Sequence, residues 1–292
     1  MPTAAKIPWP GGPSMKQNFP FPDTVIYYVS MNPSSPKAYN KMIQSCKFFF
    51  ETNPILFGYD AVKICSKYLK NIFHNPNFSC LDIDMKKCIS KFWLIHKLYI
   101  DGDENEIPNF TSLLCSKLYR CDLKILELSD QNILFDDFKL LVSSVKTISL
   151  YNVKTLYKDG KVVMLEAIFE SIPNIDKFSF QWEKNFSMVT AETLKNISEL
   201  KSCERLITFE LSYIPDIFKV EELSDFIMNH KTTKIIFAFS FNISEEYKIQ
   251  LDSLIDTVIE AKIIDVIIDY RGQDEEKLLI LENQYADSDD DE

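Results

Sequence analysis

The chain is poor in the residues on which catalytic loops are commonly built. Its 292 residues include six glycines and three histidines. Neither GxGxxG nor GxxxxGK occurs, so a glycine-rich phosphate cradle has no support. His74, His96 and His230 stand far apart, without the serine, cysteine or carboxylate neighbours that nucleophilic catalysis requires. Seven cysteines, Cys46, Cys65, Cys80, Cys88, Cys115, Cys121 and Cys203, form an odd set with no CxxC spacing. That pattern argues against a disulfide framework or a zinc site and favours reduced thiols in a cytoplasmic or nuclear protein. No apolar run approaches the roughly 18 to 20 residues of a membrane span, and the opening MPTAAKIPWPGGPSMKQN breaks any signal-peptide segment with proline and glycine. No enzymatic activity, cofactor, metal or membrane partner is expected.

What is present suits a packed protein with a recognition surface. Hydrophobic residues make up 46% and aromatic residues 13%, ample for a sizeable core. The net charge of −11 is uneven: residues 1–78 hold eight Lys/Arg against three Asp/Glu, which leaves −16 on the remainder. An acidic body lacks the clustered Lys and Arg that nucleic-acid binding needs, so protein partners with basic patches are expected instead. The acidic stretch DGDENE, 101–106, lacks the spacing of an EF-hand loop and reads as a solvated loop. Residues 1–18, with Trp9 between prolines, read as a disordered leader, and 282–292 as a disordered acidic tail in which Ser288 resembles an acidophilic kinase site.

Between these ends the chain is periodic. The segments 123–129, 145–151, 175–181, 206–212 and 234–241 read as strands, with 262–269 behind them; 80–85 and 93–100 fit less cleanly. Aligned on Leu126, Ile148, Phe178, Phe209 and Phe237, they recur at steps of 22, 30, 31 and 28 residues, a repeat signature. Helices fill the intervals: Val163–Ile172, stopped by Pro173; one N-capped by Thr190; and one N-capped by Ser244. Strand, crossover helix and next strand at that spacing demand a parallel sheet with right-handed crossovers. Residues alternating with the apolar positions then share the open face: Glu127, Ser129, Ser149, Tyr151, Gln181, Glu210 and Ser212 are the candidate substrate-binding strip, continued by Ser179, Ala238 and Ser240.

The pattern Leu-x-x-Leu-x-Leu appears as Leu123/Leu126/Leu128, Val145/Ile148/Leu150, Ile175/Phe178/Phe180 and Leu206/Phe209/Leu211. It resembles leucine-rich repeats over about 80–281. The resemblance implies an α/β solenoid, irregular, with a parallel sheet on the concave side and helices outside. The family's asparagine three residues past each motif is replaced by Gln131, Val153, Glu183 and Ile214, which leaves the turn geometry open. A doubly wound α/β domain is the structural alternative.

Ahead of the array lies NFPFPDTVIYYVSMNPSSPKAYNKMIQSCKFFF. Pro22 suits a first helical turn and Asp23 its positive dipole end, and a helix runs to about Met31. NPSSP breaks it, and a second helix spans Lys37 to Phe50. This hairpin, 19–57, resembles the F-box at Pro22, Val25, Val29, Ile43, Cys46 and Phe49 or Phe50, although Phe21 replaces the usual leucine, MNPSSPKAY lacks the family's acidic and leucine residues, and phenylalanine replaces the usual tryptophan. The resemblance implies that Phe21, Pro22, Val25, Ile26, Val29, Ile43, Cys46 and Phe49 bind a Skp-type adaptor of a cullin ubiquitin ligase, with the array holding a protein substrate. The alternative is a repeat-based interaction scaffold outside ubiquitination, its hairpin only capping the array. Residues 58–79 read as a linker or capping helix carrying Val62, Cys65, Leu69, Ile72 and Phe73.

Overall fold

The computed structural model describes residues 17–58, 73–75, 78–81, 87–101, 110–183 and 186–286. Trp9, the helix expected through Val62, Cys65, Leu69 and Ile72, most of DGDENE and Ser288 lie outside the described residues. The chain opens with α1 (Asp23–Met31), α2 (Pro36–Ser45) and α3 (Lys47–Thr52), then β1 (Ile55–Gly58), β2 (Phe73–Asn75), β3 (Phe78–Leu81) and β4 (Lys91–Asp101). There follow α4 (Phe110–Ser116), β5 (Leu118–Ser129), β6 (Asn132–Leu134), α5 (Phe135–Val142), β7 (Thr147–Tyr151), β8 (Lys154–Leu156), α6 (Leu165–Glu170) and β9 (Lys177–Gln181). The last part comprises α7 (Thr193–Ser198), β10 (Thr208–Ile214), α8 (Val220–Asn229), β11 (Lys234–Phe239), α9 (Glu245–Glu260), β12 (Val266–Asp269) and α10 (Glu275–Ala286).

These elements make an α/β fold around an eight-stranded sheet of order β1-β4-β5-β7-β9-β10-β11-β12. Neighbours pair in parallel throughout. Sheet order follows chain order, and each return to the same strand direction needs a crossover, which α4, α5, α6, α7, α8 and α9 supply from β4 onward. Two short ladders stand beside the sheet, β6 with β8 in parallel and β2 with β3 antiparallel.

Register turns the apolar motif into two continuous rows. Leu98, Leu126, Ile148, Phe178, Phe209, Ile235 and Val266 pair across the sheet, and so do Ile100, Leu128, Leu150, Phe180, Leu211, Phe237 and Ile268. Phe237 therefore belongs one pleat later than the sequence alignment puts it; Ile235 is the partner of Phe209. All of these side chains are buried in one core with Phe138, Phe169, Leu194, Phe226 and Ile255, so the crossover helices cover one face. The phenylalanines pack on each other: Phe178 stacks on Phe209 at 5.7 Å, and Phe169 meets Phe178 edge-on at 5.2 Å. Each fully buried ring of this kind contributes about 1.5–3 kcal/mol relative to exposure.

Local boundaries differ from the sequence expectations at four places. The second hairpin helix breaks at Cys46, whose extended backbone (φ −156°) separates α2 from α3. Thr190 does not cap α7; that helix starts at Thr193, and Thr190 Oγ1 instead accepts from the Glu192 amide. Phe73 lies in a strand. α10 runs through Glu282–Ala286, the first part of the expected tail. Ser244 does cap its helix, accepting from the Tyr247 amide at 3.3 Å.

Candidate functional site: the hairpin face and the open face of the sheet

The hairpin meets the sheet on the side away from the crossover helices. Along β4, Phe92 and Leu94 enter the main core, while Trp93 joins Tyr39, Ile55 and Phe57 in a separate buried cluster with Ile43, Ile95 and Tyr119 packed against it. Hydrogen bonds fix this join. The Tyr39 hydroxyl donates to the Asn53 carbonyl and accepts from the Ile55 amide, and burial pushes its pKa up to about 12. Asn53 Nδ2 donates to the Ser30 carbonyl at 3.0 Å, and the Tyr119 hydroxyl donates to the Met31 carbonyl at 2.9 Å.

This anchoring divides the expected adaptor-binding residues. Ile26 and Phe49 are buried, and Ile43 and Cys46 are partly so. Phe21 (61% accessible), Pro22, Val25 (44%) and Val29 (42%) remain exposed, joined by Tyr27 and Tyr28. Val25, Tyr28 and Val29 share one face of α1 at i, i+3, i+4 spacing, and Phe21 is exposed in the bend that precedes the helix. The structure therefore leaves apolar side chains of α1 uncovered, sets Tyr39 and Ile43 of α2 against the sheet, and packs α3 against α1 and α2.

The expected substrate-binding residues fall into two adjacent rows on the open face. Tyr99, Glu127, Ser149, Ser179, Glu210 and Ile236 are paired in register, as are Asp101, Ser129, Tyr151, Gln181, Ser212, Ala238 and Asp269. Glu127 is held by Lys97 at 2.8 Å, and Glu210 accepts from Ser212 Oγ at 3.2 Å. Tyr151 is well exposed, whereas Ser212 is nearly covered. Ser240 lies just past the end of β11.

The turn geometry is repeated at the carboxyl ends of the strands. Asp130, Asn152 and Tyr213, each two residues past the last buried motif position, hold positive φ of 53°, 48° and 59°. The kink turns the next residue inward, so Gln131, Val153 and Ile214 are all buried at the place of the missing asparagine. Aspartate and asparagine tolerate this conformation, while tyrosine is costly there. Asn152 ties the turns together, donating to Asp130 at 2.7 Å and Glu183 at 3.2 Å.

Two groupings escape sequence reasoning. Tyr213, Phe241 and Arg271 converge on a cleft of about 420 Å³ lined also by Gln181, Ser212, Ala238 and Asp269. On the helical side, His230 Nε2 lies 2.9 Å from Ser198 Oγ and 3.6 Å from Cys203 Sγ. Burial pushes the Cys203 thiol up to about 12, so it stays protonated, and no carboxylate among the described residues touches the imidazole. That trio bridges helices rather than forming a charge-relayed nucleophile. Among the described residues no three His, Cys, Asp or Glu side chains gather as a metal requires, and no helix is long and apolar enough to cross a membrane. No protein-family model and no curated protein matches the chain.

Proposed function

We propose that this chain is a substrate-recognition subunit of a Skp-cullin-F-box ubiquitin ligase. In this reading α1 docks a Skp-type adaptor, and the open face of an irregular leucine-rich-repeat-like solenoid holds a protein substrate in the cytoplasm or nucleus. The observation that carries the proposal is the exposed apolar face of Val25, Tyr28 and Val29 on α1, with Phe21 exposed just before it, although Tyr39 and Ile43 of the same hairpin pack against the sheet. Clustered exposed apolar side chains mark an interaction face. The solenoid reading is supported by sheet order that follows chain order and by the recurring left-handed residue after β5, β7 and within β10. Such a subunit performs no bond chemistry; it raises the local concentration of substrate beside a separate enzyme.

Ile26, Ile43 and Phe49 then act from inside the hairpin, holding α1 in place. The same packing favours a second reading, an interaction scaffold outside ubiquitination whose hairpin chiefly closes the sheet edge. Hydrogen–deuterium exchange on the full chain separates the two. Adding recombinant Skp-type adaptor slows exchange across 23–31 in the first reading, and unchanged exchange there would leave the scaffold.

A further inference from the structure

The carboxyl ends of β10, β11 and β12 carry a second exposed apolar cluster, and it is built differently from the α1 stripe. Among the described phenylalanines only Phe21 and Phe241 are strongly exposed, Phe241 at 62%. Phe241 meets the ring of Tyr213 edge-on at 6.0 Å, and the Arg271 guanidinium lies over it, 6.0 Å from the ring centroid. Arg271 makes no ion pair among the described residues. A tight turn fixes its position: the Gln273 amide donates to the Tyr270 carbonyl at 3.2 Å, and Gly272 supplies the φ of 89°. In a turn of this kind the third residue must take positive φ, which glycine does without strain.

Tyr213 is held here against its own preference. Its φ of 59° coincides with the register shift between Ser212 and Ile214, where Tyr213 is the extra residue of a bulge against β11 before pairing resumes at Ile214 and Phe239. At the matching turns Asp130 and Asn152 occupy this conformation at low cost. Strained backbone of this type collects at ligand sites, and here it swings an aromatic ring out beside Phe241 and Arg271. Gln181, Ser212 and Asp269, shared with the rows of the open face, also line the cleft, so among the described residues Arg271 is its one cation beside one carboxylate.

We infer that this corner is a specificity pocket for a protein segment that presents an acidic side chain next to an apolar one. The carboxylate pairs with Arg271, a planar donor whose guanidinium lies 6.0 Å from the Phe241 ring centroid. The apolar neighbour lies against Tyr213 and Phe241, and the Gln181 amide is available to the segment's backbone. A cleft of about 420 Å³ accommodates one or two side chains rather than a folded domain. The inference rests on the open face being a protein-recognition surface, and at this corner it replaces the basic partners expected from net charge with segments that carry a local acidic–apolar pair.

The test uses the full chain and an oriented library of capped synthetic peptides in which glutamate, glutamine or lysine occupies a fixed position beside randomised apolar residues. Wild type should enrich glutamate peptides over their glutamine twins at least about tenfold, and Arg271→Gln, which leaves the core untouched, should abolish the preference. Phe241→Ser should lose the apolar selection while keeping weak acidic preference. Equal recovery of glutamate and glutamine peptides, preference for lysine, or acidic preference surviving Arg271→Gln overturns the pocket. Adaptor binding by α1 is read separately: a chain that binds adaptor but selects no acidic peptide loses only this inference. One that selects acidic peptides but binds no adaptor keeps the pocket and loses the ligase role.

Discussion

Tyr213 and His230 show how single residues depart from what their chemistry prefers. Holding a tyrosine at φ 59° costs on the order of 1 kcal/mol or more, and asparagine, which Asn152 shows to fit the same turn, relieves it. Tyr213→Asn should raise the melting temperature by about 2–4 °C and at the same time weaken peptide capture. A lowered melting temperature would mean that the ring is there for packing. His230 is shielded beside Ser198, Cys203 and Phe226, and burial lowers its pKa below the ordinary value of 6.5. The unfolded chain therefore binds the proton first, so the stability is full above about pH 6.5 and is lost as pH falls through the folded pKa. Between about pH 7.5 and about pH 5.5, urea midpoints of the wild type should fall further than those of His230→Gln; equal falls would contradict the assignment. Neither residue was legible in the sequence. Positive φ at a tyrosine has no sequence signal, and His230 meets Ser198 and Cys203 only because α7 and α8 are neighbouring crossovers.

At the scale of elements, strands were more legible than helix ends. Apolar alternation with β-branched and aromatic residues located the strands, because burial of one face imposes a period of two on the sequence. The register of β11 was misread because Ile235, Phe237 and Phe239 are all apolar and alternate alike; pairing with β10, invisible in a single sequence, decides which of them matches Phe209. The break at Cys46 was hidden too, since the apolar pattern of α2 continues into α3. The hairpin's two faces could not be separated from sequence either, because helical spacing marks an apolar stripe without saying what covers it. The structure assigns them differently, and their variants should behave differently. Ile43→Glu puts a charge against the Tyr39, Ile55 and Trp93 cluster and should destabilise the fold by about 2 kcal/mol or more. Val25→Glu, on the exposed face, should leave the melting temperature within about 2 °C. A comparable loss in both would show that the Val25 face of α1 is itself covered by the body of the protein.

At the scale of the whole molecule, the sheet separates two kinds of surface. One face is closed by crossover helices over continuous apolar rows, and the other carries the hairpin at its first strands and the polar rows beyond. The two docking regions proposed above, α1 and the corner at Tyr213, Phe241 and Arg271, lie at opposite ends of the strand order. An adaptor on the first strands would thus leave the last strands free for a second protein. The composition forecast an acidic recognition surface, but net charge could not reveal the local cation at Arg271, which depends on the turn after β12. The central claim is that the uncovered face of α1 binds a Skp-type adaptor. Titration calorimetry of the full chain with recombinant adaptor tests it most directly. Wild type should bind measurably, and Val25→Glu should weaken binding by at least about thirtyfold with the fold intact, since a central apolar anchor is worth about 2 kcal/mol or more. Absence of wild-type binding where a known F-box protein binds, or equal affinity in Val25→Glu, would contradict it.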